Sequence, residues 1–400
     1  MIEDRDDRHA WSLLNCHGFS QITRLVHIGA LLQRNTNRQN MLKLETILAV
    51  NQQYARGNRT LLAKAKIKLK RHNMHVLITG GAGFIGSHLA AHHLAQGDHV
   101  YVVDNLSTGS LSNIEPLRCN PQFRFVEADI LHWGALDKAV AWADRIYHMA
   151  AVVGVKKVLE DPVAVMATNM NGTEKVLRAI HSGGWNPQVI IASTSEVYGF
   201  NAKSSFAETD DIVLPSAGRL RWTYAVTKLA DEFLAFSYAR KYGLHLAVVR
   251  LFNTIGPHQV GHYGMVVPRF VQHAVRNETL TIFGSGEQTR SFCDVRDTVV
   301  ALDHLAGSPA AWGEVVNVGN EQEISIRGLA ELTIQRAHSS STLRFISYKE
   351  AYGEEFEDVT HRRPILDKLR TLTGFAPQWH LNDTLDDLID RERTKQSCIA

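Results

Sequence analysis

The chain has 400 residues, of which 44% are hydrophobic, enough for one large or two modest domains with a substantial core. No run reaches the roughly 18 apolar residues of a membrane span, and no signal-peptide pattern appears, so we expect no integral membrane association. The four cysteines are far apart, which suits a reducing, cytoplasmic compartment. The 20 histidines lack partners at ligand spacing, and we expect no metal site.

The net charge of +2 is unevenly distributed. Residues 1–73 hold 13 Lys+Arg and 5 Asp+Glu, a net charge of +8, so the remainder is net −6. A nucleic-acid-binding protein keeps its basic surface on the folded body, and we therefore expect no nucleic-acid partner. We interpret residues 1–73 as a basic extension that is poorly ordered or precedes a true start at Met74. A basic helix over residues 61–71 is the alternative.

Three glycines, Gly80, Gly83 and Gly86, follow an apolar strand and open onto a helix-compatible segment. Gly80 permits a tight turn, Gly83 lets the backbone approach a pyrophosphate, and Gly86 lets the helix pack closely on the strand. A second strand ends in Asp104, and an acid about 20 residues after such a turn accepts ribose hydrogen bonds. The pattern favours dinucleotide binding over a purely structural βαβ unit.

From Met74 onward, predicted strands and helices alternate, which is typical of a doubly wound α/β protein with a parallel sheet. We expect a helix over 169–180 and strands over 99–104, 123–129, 143–151 and 188–196. Small side chains after the strand 143–151 leave room for a flat ring. The strand endings converge on the crevice where open α/β sheets bind ligands.

Two further segments carry groups for acid–base chemistry. Tyr224 and Lys228 stand at i and i+4 on a predicted helix, and a nearby ammonium lowers the pKa of a tyrosine, ordinarily about 10. Tyr224 is thus a candidate base for a sugar hydroxyl, with a surface pair as the alternative. After a buried strand come Thr194, Ser195 and Glu196, which can transfer protons near a reacting carbon or form a polar turn.

Together these segments resemble an extended short-chain dehydrogenase/reductase acting on nucleotide sugars, over residues 74 to about 390. The matching motifs are Thr-Gly-Gly-Ala-Gly-Phe-Ile-Gly (79–86), Asp-Asn-Leu-Ser-Thr-Gly (104–109), the Tyr224–Lys228 pair and Arg-Leu-Phe-Asn-Thr-Ile-Gly-Pro (250–257). The resemblance implies a Rossmann-like NAD-binding and catalytic domain over 74–250, then a smaller C-terminal α/β lobe, mainly over 251–390, that binds the nucleotide sugar. Some of its segments return to the Rossmann sheet, and residues 391–400 form a polar tail.

By the same resemblance, Thr194, Tyr224 and Lys228 form the catalytic triad, and Lys228 also holds the nicotinamide ribose. No arginine follows Asp104 to receive a 2′-phosphate, which favours NAD over NADP. The other residues expected to contact the cofactor are Gly80, Gly83, Phe84, Ile85, Gly86, Asn105, Asp129, Ile130, Ala150, Ala151, Asn169 and Tyr224.

The expected contacts to a UDP-sugar lie in the C-terminal lobe. Asn253 resembles a residue that contacts the diphosphate, with a turn cap as its alternative role, and Arg290 resembles one that grips a phosphate, with a pair to Asp294 as the alternative. The full set is Asn253, Met265, Val266, Thr281, Phe283, Arg290 and Arg362.

The pattern Thr-Ser-Glu-Val-Tyr-Gly (194–199) is similar to UDP-glucuronate decarboxylases. Residues 221–228 and 352–364 resemble the decarboxylase domain of the bacterial lipid A aminoarabinose pathway, whose catalytic arginine matches Arg362. The similarity implies oxidation at C4 and loss of CO2 from the resulting β-keto acid. Arg362 would recognise the carboxylate, and Glu196 or Ser195 would act near C5.

Several alternatives stay open. The product is UDP-xylose or the UDP-4-keto pentose. A UDP-sugar 4-epimerase or 4,6-dehydratase is the alternative enzyme, and a non-catalytic NAD-binding scaffold is the alternative of another class. The loop 200–219 follows no pattern of the family, and Arg362 has a salt bridge with Glu357 or Asp358 as its alternative role.

A homodimer is expected from the family resemblance. The helix 225–242 would contribute to its interface. The apolar residues of this helix suit either a subunit contact or the core: Leu229, Phe233, Phe236 and Tyr238.

Overall fold

The computed structural model describes residues 73–261, 265–352, 359 and 361–397. Residues 72–400 form one compact unit. The predictions for the basic extension therefore lie, except at Asn73, outside the described residues. The same holds for Glu357 and Asp358, the alternative partners of Arg362.

The described residues form thirteen strands and twelve α-helices. The strands are β1 (His75–Thr79), β2 (His99–Asp104), β3 (Phe123–Glu127), β4 (Arg145–His148), β5 (Gln188–Thr194), β6 (Leu246–Leu251), β7 (Thr254–Ile255), β8 (Leu280–Phe283), β9 (Thr289–Ser291), β10 (Cys293–Asp294), β11 (Val315–Val318), β12 (Glu323–Ser325) and β13 (Leu343–Ile346). The helices are α1 (Phe84–Ala95), α2 (Leu111–Ile114), α3 (Leu136–Trp142), α4 (Val155–Glu160), α5 (Pro162–Ser182), α6 (Thr223–Tyr242), α7 (Val266–Val275), α8 (Val295–Ala306), α9 (Ile326–Arg336), α10 (Tyr348–Tyr352), α11 (Asp367–Thr373) and α12 (Leu381–Ser397).

Seven of these strands form one parallel sheet in the order β11-β6-β5-β4-β1-β2-β3. The chain moves from β1 outward through β2 to β3, then returns to the other side of β1 with β4. This reversal is the topological switch point at which doubly wound sheets bind ligands. The order confirms the predicted Rossmann-like architecture, and β11 is a late segment that returns to the sheet.

Apolar clusters cover both faces of the sheet because successive strand residues point to opposite sides. On β1, Val76 and Ile78 belong to a cluster with α1 and α8, whereas Leu77 packs with α3 and α5. A third cluster holds β8, α7, α9 and α12 together in the C-terminal part. The sheet is therefore buried on both faces, and its exposed functional edge is the carboxyl end of the strands.

The predicted elements differ from the observed ones mainly at their ends. Helix α5 begins seven residues before the predicted 169 because Asp161 caps it through a bond from the Ala164 N–H, and Pro162 takes the first helical position. The predicted strand 188–196 ends at Thr194 and continues as a 3₁₀ helix, Ser195–Tyr198. The strands predicted over 123–129 and 143–151 are also shorter.

Candidate active site

The glycine turn after β1 is closed by backbone packing. Gly80 has φ +69°, and a Cβ there would lie 2.7 Å from the Ala150 nitrogen that follows β4. A Cβ on Gly86 would lie 2.3 Å from the Gly80 carbonyl oxygen and 2.7 Å from Gly81 Cα. The turn therefore requires the predicted tightness and the predicted close approach of helix α1. Gly83 is the N-cap residue of α1. Together with the first turn of α1, it lines a cavity that opens at this point.

Asp104, at the end of β2, anchors the second loop of this crevice. Its carboxylate accepts hydrogen bonds from the Ala82 N–H at 3.0 Å and the Leu106 N–H at 2.8 Å. Burial raises the pKa of Asp104, and these backbone donors oppose the rise. A carboxylate has about four acceptor sites, so capacity for a ribose hydroxyl remains. Beyond it, the Asn105 amide donates to Asp129 at 3.1 Å, which joins the loops that follow β2 and β3.

A single cavity of about 490 Å³ runs from the glycine turn to the C-terminal lobe. It is lined by most of the residues predicted from the sequence: Gly80, Gly83, Phe84, Ile85, Gly86, Asp104, Asn105, Asp129, Ile130, Ala150, Ala151, Thr194, Ser195, Glu196, Tyr224, Lys228, Asn253, Met265, Val266, Phe283, Arg290 and Arg362.

Two predicted contacts lie outside the cavity wall. Asn169 is buried on α5, where its side chain accepts from the Val152 N–H at 2.7 Å and donates to Thr227. It therefore supports Val152, which does line the cavity. Thr281 lies on β8, and its carbonyl accepts a hydrogen bond from Arg269 at 3.1 Å. The sequence pattern located both residues in the correct segment but did not reveal which way their side chains point.

Tyr224 and Lys228 share one face of α6 as predicted, but the electrostatic expectation for Tyr224 was wrong. Burial raises the pKa of Tyr224, the Glu196 carboxylate raises it further, and a hydrogen bond with Thr194 opposes the rise. The Lys228 ammonium instead donates to Asp231 at 2.8 Å, with both side chains buried. In the protein alone, the phenol of Tyr224 is therefore held in its protonated form.

Glu196 lies between two arginines inside the cavity. Its carboxylate oxygens are 3.6 Å from Arg362 Nη1 and 3.9 Å from Arg221 Nη1. Arg221, with its guanidinium 4.5 Å over the Trp222 ring, directly precedes the helix that carries Tyr224. The two guanidinium groups lie beside Glu196, the residue predicted to act near C5 of the sugar. They form a cationic region that suits the carboxylate of a substrate.

The loop 200–219, whose pattern was unassigned, holds Arg362 in place. Phe206 forms an isolated parallel bridge with Pro364. The Phe206 N–H donates to the Arg363 carbonyl at 2.8 Å, and the Ile365 N–H donates to the Phe206 carbonyl at 2.8 Å. Phe206 itself is buried against the Tyr198 ring, with centroids 4.8 Å apart. The backbone that follows Arg362 is thus fixed by contacts distant in sequence.

Next to Tyr224 and Thr194 lies a buried polar cluster. The Glu232 carboxylate accepts two bonds from Arg250, at 3.0 and 2.8 Å, and one from the Ser193 hydroxyl at 2.5 Å. Arg250 lies on β6 and Ser193 on β5, so Glu232 joins α6 to two neighbouring strands. This bidentate pair fixes the position of Tyr224 relative to Thr194.

The C-terminal wall of the cavity combines aromatic and amide groups. The Arg269 guanidinium lies 4.5 Å over the Phe283 ring, and the Gln288 amide donates to the Tyr348 hydroxyl at 2.9 Å and to the Phe283 carbonyl at 3.0 Å. All four side chains belong to residues that line the cavity. A flat ring with amide edges fits such a wall, because rings stack on aromatic faces and amides pair with amide groups.

The alternatives for Asn253 and Arg290 can be compared with the structure. The Asn253 amide donates to the Ser291 carbonyl at 3.0 Å, which ties the β6–β7 connection to β9. Asp294 pairs with Arg296, at 2.6 Å, and Arg290 Nη1 donates to the Thr289 carbonyl at 2.7 Å. The alternative role of Arg290, a pair with Asp294, is therefore not seen between these two described residues, and Arg290 remains in the cavity wall.

Sequence reasoning gave no role to Arg221, Arg269, Gln288 or Tyr348, although all four line the cavity. Arg221 belongs to a segment that carries the resemblance, Arg269 follows the expected contacts Met265 and Val266, and the charge of both residues was the available signal. Tyr348 stands on a different element from its partner Gln288, so no local spacing links them.

The chain belongs to the NAD dependent epimerase/dehydratase family, whose model matches residues 76–319. It is 37% identical over 306 residues, 75% of this chain and 92% of the relative, to the UDP-N-acetyl-alpha-D-glucosaminuronate decarboxylase of Bacillus cytotoxicus. It is 31% identical over 369 residues, 91% of this chain and 84% of the relative, to UDP-glucuronic acid decarboxylase 1 of Xenopus tropicalis. These matches confirm the resemblance to nucleotide-sugar-modifying extended short-chain dehydrogenases/reductases.

A solved structure of similar fold is the UDP-glucuronic acid 4-epimerase of Bacillus cereus in complex with UDP-glucuronic acid and NAD. Its TM-score is 0.73 at 28% identity, over 80% of this chain and all (100%) of that one. In the described part of this chain, no helix has the length and apolarity that crossing a membrane requires. Within those same residues, no three His, Cys, Asp or Glu side chains gather closely enough to hold a metal ion.

Proposed function

We propose that this chain is an NAD-dependent decarboxylase of a UDP-hexuronate, with UDP-glucuronate as the first candidate substrate. The observation that carries the proposal is Glu196 between Arg362 and Arg221 in the wall that also contains Tyr224. A sugar with a carboxylate at C6 finds two guanidinium donors there, whereas a neutral hydroxymethyl group gains little from them.

The residues present fit NAD. The crevice at the switch point is lined by glycines whose missing side chains leave the backbone accessible, and a Cβ at Gly86 would collide with Gly80. Asp104 retains acceptor capacity for the adenosine ribose, and Asn105 and Asp129 stand beside it. Bound NAD would supply the hydride acceptor for C4 of the sugar.

The chain's own residues provide the proton transfers. As a phenolate, Tyr224 would accept the proton of the C4 hydroxyl, and Thr194 is hydrogen-bonded to the same phenol oxygen. The product of this oxidation is a β-keto acid, which loses CO2 because the electrons of the breaking C5–C6 bond move into the C4 ketone. Glu196 or Ser195 then delivers a proton to C5, which completes the pentose ring. Return of the hydride to C4 gives UDP-xylose, whereas release of the 4-ketone before that return gives the UDP-4-keto pentose.

A 4-epimerase of the same substrate is the second candidate. The Bacillus cereus relative of similar fold is a UDP-glucuronic acid 4-epimerase, so recognition of a hexuronate does not by itself imply loss of CO2. The identity of 31–37% to decarboxylases over more than two thirds of the chain favours decarboxylation. The acetamido group in the name of the Bacillus cytotoxicus relative adds a C2-substituted sugar to the candidates.

Purified protein incubated with NAD and each of three sugars distinguishes these functions: UDP-glucuronate, its C2-acetamido analogue and UDP-glucose. Nucleotide sugars are separated by anion-exchange chromatography and CO2 is measured. A pentose product with CO2 from a hexuronate supports the proposal. Interconversion of UDP-glucose and UDP-galactose, or of hexuronate epimers, without CO2 would replace it with an epimerase.

Arg362 and its neighbour Arg363 provide a matched pair of variants for carboxylate recognition. Arg362 faces Glu196 in the cavity, whereas Arg363 pairs with Glu323 and is 40% exposed outside it. We expect Arg362→Met to weaken kcat/KM for the hexuronate about 100-fold, since a charged hydrogen bond contributes about 2–3 kcal/mol. Arg363→Met should remain within about threefold of wild type. Equal effects of the two substitutions would contradict the assignment.

We further propose that the chain is a homodimer in a reducing, cytoplasmic compartment. Helices α5 and α6 carry exposed apolar residues: Val163, Met166, Met170, Val226 and Phe233 are 76%, 40%, 38%, 39% and 68% exposed. An apolar patch on two adjacent helices is a typical subunit contact. The thiols of Cys119 and Cys293 are unpaired, as a reducing compartment permits.

A further inference from the structure

Helix α6 carries a buried ion pair between Lys228 and Asp231. Lys228 Nζ donates to Asp231 Oδ2 at 2.8 Å, and the two side chains are 3% and 1% exposed. Lys228 lines the cavity and Asp231 lies behind it. A buried carboxylate that serves only packing would be unfavourable, because desolvation of both charges costs several kcal/mol.

Tyr224, Lys228 and Asp231 form one row along the helix. They stand at i, i+4 and i+7, the spacing of a single helical face. The ammonium lies between the phenol and the carboxylate in sequence, and its bond to Asp231 directs part of its charge away from the phenol. Burial, then Glu196, then Asp231 are the influences that raise the pKa of Tyr224.

Charged and polar groups approach this row from every neighbouring element. Thr194 and Glu196 face Tyr224 from the end of β5, Thr173 approaches the Asp231 carboxylate from α5, and Glu232 is its neighbour on α6. Glu232 is itself bound by Arg250 and Ser193. The Lys228 charge lowers the pKa of His148 on β4. The arginines near Glu196 are Arg221 and Arg362.

We propose that Asp231 is a positioning residue for the Tyr224–Lys228 pair: it orients the ammonium and offsets part of its charge, and thereby sets the pH above which Tyr224 acts as a base. The inference rests on the proposed function, in which Tyr224 accepts the C4 proton. Asp231 is not among the residues that line the cavity, and it acts through Lys228. Loss of its charge leaves the ammonium fully available to stabilise the phenolate.

The test is the pH dependence of kcat for the full-length chain with NAD and UDP-glucuronate. We expect Asp231→Asn to move the rising limb to lower pH by about one unit, the effect of a neighbouring positive charge on an ionisable group. Asp231→Glu restores a carboxylate and should return the limb toward its wild-type position. A purely structural role would lower kcat or stability without moving the limb.

A direct measurement without cofactor or substrate complements the kinetics. Protein labelled with ¹³C at tyrosine Cζ is titrated by NMR, and Tyr224→Phe identifies the resonance of Tyr224. The midpoint should fall by about one unit in Asp231→Asn. Asp303→Asn is the matched control, since Asp303 forms a buried ion pair with Arg145 away from the cavity. It should lower stability and leave the Tyr224 midpoint unchanged.

The outcomes separate this inference from the proposed function. If Tyr224→Phe turns over every sugar as wild type does, the proposed function fails. If Tyr224→Phe is inactive and Asp231→Asn leaves both limb and midpoint unmoved, or raises them, only the role of Asp231 is overturned. Should Asp231→Asn be too unstable to purify, Asp231→Ala leaves room for a water beside Lys228 and is expected to give the same shift.

Discussion

Alanine at Gly86 would force apart the turn on which the cofactor crevice is built. The new Cβ would lie 2.3 Å from the Gly80 carbonyl oxygen and 2.7 Å from Gly81 Cα. Ordinary contacts lie near 3.5 Å, so the turn and helix α1 must separate by roughly 1 Å. Both contacts are backbone atoms, which cannot rotate away as a flexible side chain would.

The cost follows from this displacement. Overpacking of this kind typically destabilises a protein by about 1–3 kcal/mol, which lowers Tm by a few degrees in a domain of this size. The backbone N–H groups that would bind the pyrophosphate move with the turn. We therefore expect the Kd for NAD to rise about tenfold or more, which is about 1.4 kcal/mol or more of binding free energy.

Isothermal titration calorimetry with NAD and a thermal melt measure the two effects. Gly134→Ala is the control, since a Cβ there meets nothing within 4 Å and its backbone has ordinary φ. The control should bind and melt as wild type does. If Gly86→Ala retains the wild-type Kd within twofold and the wild-type Tm, the argument from backbone contact is refuted.

Two further predictions concern assembly and acid stability. Phe233→Arg on α6 should convert the proposed dimer into a monomer, as measured by light scattering. Phe345 on β13 is 44% exposed, and Phe345→Arg should leave the dimer intact. A wild-type protein that is already a monomer would contradict the proposed interface. Burial lowers the pKa of His148 to about 3, below the roughly 6.5 of an unfolded histidine, so the unfolded state binds the proton more tightly. The free energy of unfolding should therefore fall by about 1.4 kcal/mol per pH unit as the pH drops below about 6.5. Chemical denaturation of His148→Gln between pH 7 and 5 should show a smaller change of this free energy with pH. An equal change in the variant and the wild type would mean that His148 is not the group responsible.

The glycine-lined crevice at the switch point could be located from the sequence because its geometry is encoded locally. The glycine spacing, the strand before it and the acid that ends β2 each act within about 25 residues, and the structure assembles them at the switch point. The spacing of Tyr224 and Lys228 likewise fixed a shared helical face. What local spacing could not reveal was that Lys228 turns toward Asp231, because rotamer choice depends on surrounding burial and charge.

The environment of Arg362 was beyond sequence reasoning for a different reason. The backbone that follows it is held by the bridge between Phe206 and Pro364, which are more than 150 residues apart. Phe206 belongs to the loop 200–219, which has no assignable pattern. Asn169 shows a similar limit: the helix was predicted, but only the packing of α5 reveals that its amide supports Val152 instead of lining the cavity. Long-range contacts of this kind leave no periodic signal in a single sequence.

The most direct test of the central claim follows the carbon that the proposed reaction releases. UDP-glucuronate labelled with ¹³C at C6 is incubated with the full-length chain and NAD, and labelled CO2 is measured alongside the UDP-pentose. The account predicts one labelled CO2 for each pentose formed and neither product with Tyr224→Phe. Turnover that leaves the label in the nucleotide sugar, or labelled CO2 from Tyr224→Phe at the wild-type rate, would contradict it.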